Sequence, residues 1–314
     1  MKKITLLLSF VACVAFAQAQ LVVSDDFSYT IGTELKANGW VGTGSTPSTQ
    51  NPILVTASTI SYSGYPGSGL GNEISLTTSG EDLNKSFDAI TSGTIYFSTL
   101  VNLSAAQAAG DYFIHIGDAP TGSTFFGRTF AKLDAEKIAF GIMNSSSGTV
   151  TYSQSVYELN TTYLIVVKVD LATKEASLII NPSLTSEPTT GWLSNNTGTS
   201  TLPAAGFKTI NIRQGTASNA PTLKLDGIRV ATSWAALFTT ANVSNPSSDK
   251  FRATVVGNDL QIKNVANGAT VEIFSALGSK VQTSVLENGK VSVDNLSKGM
   301  YIVRVGKNTQ KFML

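Results

Sequence analysis

Nearly every apolar segment of this chain is short, rich in β-branched or aromatic residues, and bounded by Gly, Pro, Asn or Ser. Ile53–Tyr62, Thr94–Val101, Tyr112–Gly117, Thr162–Asp170, Glu175–Asn181, Phe207–Arg213 and Thr222–Ala231 all read this way. Strands of that length with turn residues between them specify a sandwich rather than an α/β fold. One helix is expected, as a connector between strands. Ser104 caps it, Gln107 stands at the capping-box position, Ala105 to Ala109 favour helix, and Gly110 ends it. The run from Gly64 to Gly71 reads as a flexible loop; its glycines have neither the spacing nor the following helix that phosphate binding needs. No repeat of solenoid or propeller length is present.

The first residues carry an export signal: Lys2-Lys3, then the apolar Ile4 to Phe16, then Ala17-Gln18-Ala19 before Gln20. Cleavage is expected between Ala19 and Gln20. The apolar run is too short for a membrane span, which needs ~20 residues, so no transmembrane segment is expected after cleavage. Cys13 leaves with the signal, and the mature chain then has no cysteine. Disulfides and thiolate metal sites are excluded, and stability must come from a packed core. Residues 21–242 carry 11 basic and 16 acidic side chains, whereas 243–314 carry 9 and 5. The larger part has no basic stripe, so nucleic acid is not an expected partner.

The C-terminal seventy or so residues form a second alternating set. Asn245-Pro246 opens it, followed by Val271 to Phe274 and then Leu277-Gly278-Ser279-Lys280-Val281. Leu296 to Val303 contains Gly299 and Tyr301, and Lys311-Phe312-Met313-Leu314 closes the set. This pattern resembles the type IX secretion C-terminal sorting domain of Bacteroidota, a small immunoglobulin-like sandwich. The resemblance implies export to the cell surface or medium, with the type IX machinery as partner and Gly278, Lys280, Gly299, Tyr301 and Lys311 as sorting-motif residues. The expected organisation is a signal peptide at 1–19, a large domain at 20–238, a linker at 239–248 and the sorting domain at 249–314.

The large domain opens with Asp25-Asp26-Phe27-Ser28-Tyr29 and Gly39-Trp40, and closes with Ile212-Arg213-Gln214-Gly215 and Leu225 to Val230. It is similar to concanavalin-like jelly rolls of the laminin-G-like branch. That fold hosts lectins, hydrolases, lyases and spacers, so function must come from the site. The hydrolases of the fold carry Glu-x-Asp-x-x-Glu on one strand, and no Glu here is followed two positions later by Asp. A lyase needs a Tyr and a His near the abstracted proton. The one histidine, His115, lies on an apolar strand, where alternation groups it with Phe113 and Gly117 against Ile114 and Ile116. No Gly-x-Ser-x-Gly elbow is present, and one histidine without cysteine leaves zinc without its usual ligands.

Calcium needs only oxygens, and jelly rolls of this class implicate Asp25 or Asp26 with Asp226; the alternative is that Asp26 and Asp226 pair with Arg229, Arg213 or backbone amides. No other cofactor is expected. For ligand binding, exposed rings that stack on sugars are the currency. Tyr65, near Tyr62 in the Gly-rich loop, and Trp192 in the polar insertion Thr189–Asn196 are the candidates, with packing as the alternative for each. Trp40 and Trp234 are expected in the core. The reading is a secreted or surface-attached, non-catalytic binder of a glycan or other surface polymer. A structural or adhesive protein is the alternative, and an atypical lyase or hydrolase comes third. In a host with the type IX machinery, deleting Val243–Leu314 leaves the jelly roll folded but confined to the periplasm. Fractionation showing the truncated protein at the cell surface would overturn the sorting assignment.

Overall fold

The computed structural model describes residues 19–239, 252–263, 265–275, 278–306 and 308–314. The expected signal segment up to residue 18, most of the expected linker, Asn245-Pro246 and Leu277 lie outside the described residues. The chain divides into two units, residues 1–240 and 241–314.

The strands of the first unit, in chain order, begin with β1 (Leu21–Asp25), β2 (Val41–Gly42), β3 (Leu54–Thr56), β4 (Glu73–Leu76) and β5 (Leu83–Ile90). Then come β6 (Thr94–Ala105), β7 (Asp111–Gly117), β8 (Phe125–Asp134), β9 (Lys137–Ser145) and β10 (Thr151–Tyr152). The last are β11 (Thr162–Asp170), β12 (Glu175–Ile180), β13 (Leu193–Asn195), β14 (Phe207–Ile212) and β15 (Thr222–Ala231). One sheet has eight strands in the order β13-β12-β11-β6-β15-β4-β3, with β1 also on β15. The other has seven, β10-β9-β8-β7-β14-β5-β2. All pairings are antiparallel, so the expected all-β jelly-roll sandwich is what forms. Phe97, Val101, Phe113, Ile114, Phe126, Phe140, Ile165, Val167, Ile210 and Leu225 fill the space between the sheets. Trp40 is buried with them, as expected.

The eight-stranded sheet is apolar on its outer face as well. Tyr96, Leu100, Leu164, Val166 and Ile179 point away from the inter-sheet core and form a second apolar layer. Three segments cover them: the Gly-rich loop with Ile60 and Tyr65, the insertion carrying Leu184 and Trp192, and the helix α1 (Trp234–Phe238). Ser233 caps this helix by accepting from the Ala236 amide at 3.1 Å. Arg229, 3% exposed, anchors its end by donating to the Leu237 and Thr239 carbonyls at 2.7 and 2.6 Å.

The helix expected after Ser104 does not form. β6 runs through Ala105, which pairs with Thr222, and the Ser104 hydroxyl donates to the Thr222 carbonyl rather than capping a helix. Ala106 is buried in the core, and the Gly110 amide turns back to Gln107 at 3.1 Å. Tertiary pairing overrides local helix preference here.

The N-terminal strand is tied down by Asp25, which is 5% exposed. Its carboxylate accepts from the Phe27 amide (3.0 Å), the Tyr29 hydroxyl (2.9 Å), the Trp40 indole (3.0 Å) and Lys85 (2.6 Å). Such charge-assisted bonds are the strong ones.

The second unit comprises β16 (Arg252–Val256), β17 (Asp259–Lys263), β18 (Thr270–Ser275), β19 (Lys280–Val285), β20 (Lys290–Ser292), β21 (Met300–Val305) and β22 (Asn308–Met313). They form a three-stranded sheet, β16-β17-β20, and a four-stranded one, β19-β18-β21-β22. Leu260, Ile262, Val271, Ile273, Val303 and Phe312 pack together as its core. Of the sorting-motif residues, Tyr301 stacks on Phe312 at 5.7 Å, whereas Gly278, Lys280 and Lys311 are exposed.

The sharpest local constraint is at Gly227, where β15 is bulged against β6 and turns from pairing β4 to pairing β1. Its φ is +63°, and a Cβ there would lie 2.9 Å from the Tyr65 ring. Gly227→Ala therefore combines backbone strain with overpacking and is expected to destabilise by about 2–4 kcal/mol. Urea denaturation checks this; a loss under about 0.5 kcal/mol, the ordinary surface value, would show that the Tyr65 layer yields freely.

Candidate functional site

Trp192 lies at the edge of the sandwich, where β12–β13 of one sheet approach β9–β10 of the other. It lines a pocket of about 240 Å³ together with Phe140, Ser153, Tyr157, Leu178, Ile180, Gly191 and Leu193. The Trp192 indole donates to the Pro188 carbonyl at 2.8 Å, and its ring meets Trp234 edge-on at 5.9 Å. Lys168 sits 4.6 Å from the indole centroid and is held by Glu187 at 2.9 Å. On the other side, Tyr157 packs edge-on against Phe140 (5.1 Å) and Tyr163 (5.2 Å). Trp192 and Tyr157 are both half-exposed, so each combines a fixed orientation with accessible ring area. Tyr157 had no signal in the sequence, because β10 and the turn after it lack strand alternation.

Tyr65 is different. It is 3% exposed, its hydroxyl contacts Ser98 at 2.8 Å and donates to the Gly227 carbonyl at 2.5 Å, and its ring packs on Phe238. Tyr65 is a covering residue of the eight-stranded sheet, not a ring open to a sugar. The loop carrying it packs down rather than standing free, since burying Ile60 and Tyr65 outweighs the mobility of its glycines.

Asp226 is fully buried beside Gly227, where β4 and β1 succeed one another along β15. Its Oδ2 accepts from Ser58 at 3.3 Å, and Oδ1 has no hydrogen-bond partner. Neither Arg229 nor Arg213 reaches it: Arg229 serves Ser24 and carbonyls, and Arg213 pairs with Asp111 at 2.7 Å. Burial pushes the Asp226 carboxyl up to about 7; the Gly227 amide and Ser58 oppose this, and the charges of Glu73 and Asp26 reinforce it. Asp26 is half-buried and accepts from the Ser28 amide. Asp25 is already engaged by four donors, and Glu73 by Thr59 and Lys224. Among the described residues no three acidic, histidine or cysteine side chains converge on a metal position. Calcium takes six to eight oxygens, so this donor set fits a carboxyl that takes up a proton better than it fits an ion.

Among the described residues the outer face of the seven-stranded sheet carries a smaller apolar cluster, Tyr112, Phe130 and Met143 with Val150 and Tyr152, than the layer that covers its partner. Two bulges shape it. Phe113 is the extra residue of β7 against β8, and it turns into the inter-sheet core with Ile114 and Ile116. On β8 the extra residue falls at Gly127-Arg128, with Gly127 at φ +63°. Strict alternation therefore fails: His115 faces away from Phe113 and lies beside Tyr112 (5.5 Å) and Phe125 (4.4 Å). His115 is 2% exposed, and its Nδ1 lies 3.2 Å from the Ile116 carbonyl. Burial pulls it down to about 3, helped by the charges of Arg128 and Arg213, so it is neutral at any physiological pH. Around it stand Arg128, Phe130, Lys132, Asn211 and Arg213, none of which sequence reasoning singled out for this face.

Residues 245–313 match the family model of the secretion system C-terminal sorting domain. The type IX sorting domain marks proteins that are exported and then secreted or attached to the cell surface. No curated protein matches the chain. Solved structures resembling it include a carbohydrate esterase of the Shiga toxin-encoding bacteriophage phi24B, at 14% identity and TM-score 0.43, covering 68% of this chain and 99% of that one. A sialidase matches at 12% identity and TM-score 0.41, over 68% of this chain and 19% of its own. The CBM2 module of the Lactobacillus casei BL23 phage J-1 evolved Dit matches at 9% and 0.38, over 68% and 95%. At these scores the likenesses carry no inference about ligand or activity. Among the described residues no helix is long and apolar enough to cross a membrane.

The Asp226 environment fixes a pH dependence. An unfolded aspartate titrates near 3.9, so the folded state holds an extra proton between about pH 4 and pH 7. The stabilisation from neutral Asp226 is complete below pH 4 and is lost as pH rises through about 7. Between pH 5 and 8 the protein is expected to lose on the order of 3 kcal/mol that Asp226→Asn does not lose. Equal pH slopes for the two proteins in urea titrations would refute this. A calcium-dependent rise in melting temperature that Asp226→Asn abolishes would instead make Asp226 a metal ligand.

Proposed function

We propose that this is an exported binding protein whose jelly roll holds a glycan, or another surface polymer, without cleaving it. The edge pocket carries the reading. Trp192 and Tyr157 present aromatic surface to a space of about 240 Å³ whose remaining walls are chiefly Phe140, Leu178, Ile180 and Leu193. Sugars stack their C–H faces on such rings while a hydroxyl such as that of Tyr157 offers hydrogen bonds. The volume is below the usual range for drug-sized ligands, which favours a single sugar unit or a chain end. The export address supports the reading by bringing the pocket to where surface polymers are.

One observation favours a second reading, a depolymerising lyase: Tyr112 and His115 are neighbours on the outer face of the seven-stranded sheet. It is the weaker reading, because a catalytic base must come within about 3 Å of the proton it removes and His115 is enclosed. On a glycan array the mature protein is expected to retain a defined set of sugars. Trp192→Ala should lower that affinity at least about tenfold, the loss typical of an aromatic anchor, and Tyr157→Phe by less. Retention of no glycan by the folded protein would leave a structural or adhesive role. Release of products from laminarin or alginate, lost in His115→Ala at unchanged melting temperature, would establish the lyase.

A further inference from the structure

Two cations on the outer face of the seven-stranded sheet, Arg128 and Lys132, have no ion pair among the described residues. Arg128 lies 3.8 Å from the Tyr112 ring centroid and 5.5 Å from that of Phe130. Its Nε is buried without a hydrogen-bond partner, and among the described residues no carboxylate pairs with it. Lys132 lies 4.6 Å from the Tyr152 centroid, again with no ion pair among the described residues. Arg213 also rests on Tyr112, at 4.3 Å, but Asp111 and Asp82 balance it. A ring orients a cation without cancelling its charge. A stacked guanidinium keeps its in-plane N–H groups free to take an oxyanion through two parallel bonds.

The domain's overall charge makes this pairing failure informative. Residues 21–242 have an acidic excess, 16 against 11, so unpaired cations are not the residue of general basicity. Asp111, whose charge reaches Tyr152, is taken by Arg213, and the groups that touch Arg128 and Lys132 are aromatic rings. The placement is also linear. Tyr112 pairs with Phe130, Phe130 with Gly141, and Gly141 with Tyr152, so one row crosses β7, β8, β9 and β10. Arg128 and Lys132 lie four residues apart on β8, roughly 13 Å along the strand. That length suits an extended chain rather than a single small anion.

We propose that this face binds an anionic polysaccharide, its carboxylate or sulfate groups held by Arg128 and Lys132, which the Tyr112, Phe130 and Tyr152 rings hold in place. This site is separate from the Trp192 pocket and does not depend on it. Nucleic acid shares the anionic charge, and competition with single-stranded DNA distinguishes it.

The test is affinity electrophoresis of the mature full-length protein through gels containing polygalacturonate, dextran sulfate or neutral dextran, at 20 and 300 mM salt. Polygalacturonate separates carboxylate from sulfate recognition, and retardation by either acidic polymer supports the site. The expected result is retardation by acidic polymer alone, weakened by salt. Arg128→Gln and Lys132→Gln should each reduce it at least fivefold. Lys132→Gln keeps the test decisive if Arg128→Gln does not fold. The proposal is overturned by equal retardation in neutral dextran, by unchanged binding in both Gln variants at unchanged melting temperature, or by single-stranded DNA displacing the acidic polymers at lower concentration.

Discussion

The eight-stranded sheet has two apolar faces, and a sandwich core can cover only one. Leu100, Leu164, Val166 and Ile179 would otherwise leave a large apolar patch in water, at roughly 25 cal/mol for every Å² exposed. The fold meets this constraint with segments that look dispensable in the sequence: a Gly-rich loop, a polar insertion and one turn of helix. Each brings one or two large side chains, and their rings interlock as Tyr96, Trp192 and Phe238 gather around Trp234 and Tyr65 packs on Phe238. Arg229 then holds the helix by its carbonyls. The position of the edge pocket follows from this arrangement, because Trp192 is set by its contact with Trp234.

The seven-stranded sheet is covered differently on its outer side. A small apolar cluster, Tyr112, Phe130 and Met143, lies under cations, beside a buried asparagine row in which Asn211 faces both Asn84 and His115 across the ladder. The two faces thus have opposite chemistry. One is a sealed second core, and the other is a polar and aromatic surface shaped by bulges. Burial of His115 between Tyr112 and Phe125 is a result of that shaping, and its neutrality spares the face a third uncompensated charge.

Strand rhythm made the fold legible. Thr162–Asp170 and Thr222–Ala231 coincide with β11 and β15, because each is an apolar run set between turn residues, Asn160 and Asp170 for the first, Pro221 and Ser233 for the second. The expected helix at Ser104 failed because capping and propensity are local, while β6 continues for as long as β11 and β15 offer ladder partners. The face of His115 was misread for a related reason. Alternation assumes one residue per step, and the bulge at Phe113 inserts an extra one without any sign in composition. Tyr65 looked accessible because glycines surround it, yet loop flexibility says nothing about what lies beneath the loop. Arg128 and Lys132 were invisible, since the absence of a carboxylate partner is a property of three-dimensional neighbours.

The strand that completes the eight-stranded sheet has more partner strands than any other in it and is its latest. β15 touches β6, β4 and β1, so residues near 225 must meet partners near 25, 75 and 100 before the sheet closes. Contacts so distant in sequence make folding slow. Until β15 arrives, β6 keeps an open edge, and neither apolar face is fully sealed. A chain that reaches its compact state only after nearly all of the domain is available stays longer in an extended form. For an exported protein that delay is useful in passing through a narrow channel, and it also leaves the nascent chain in need of protection from aggregation.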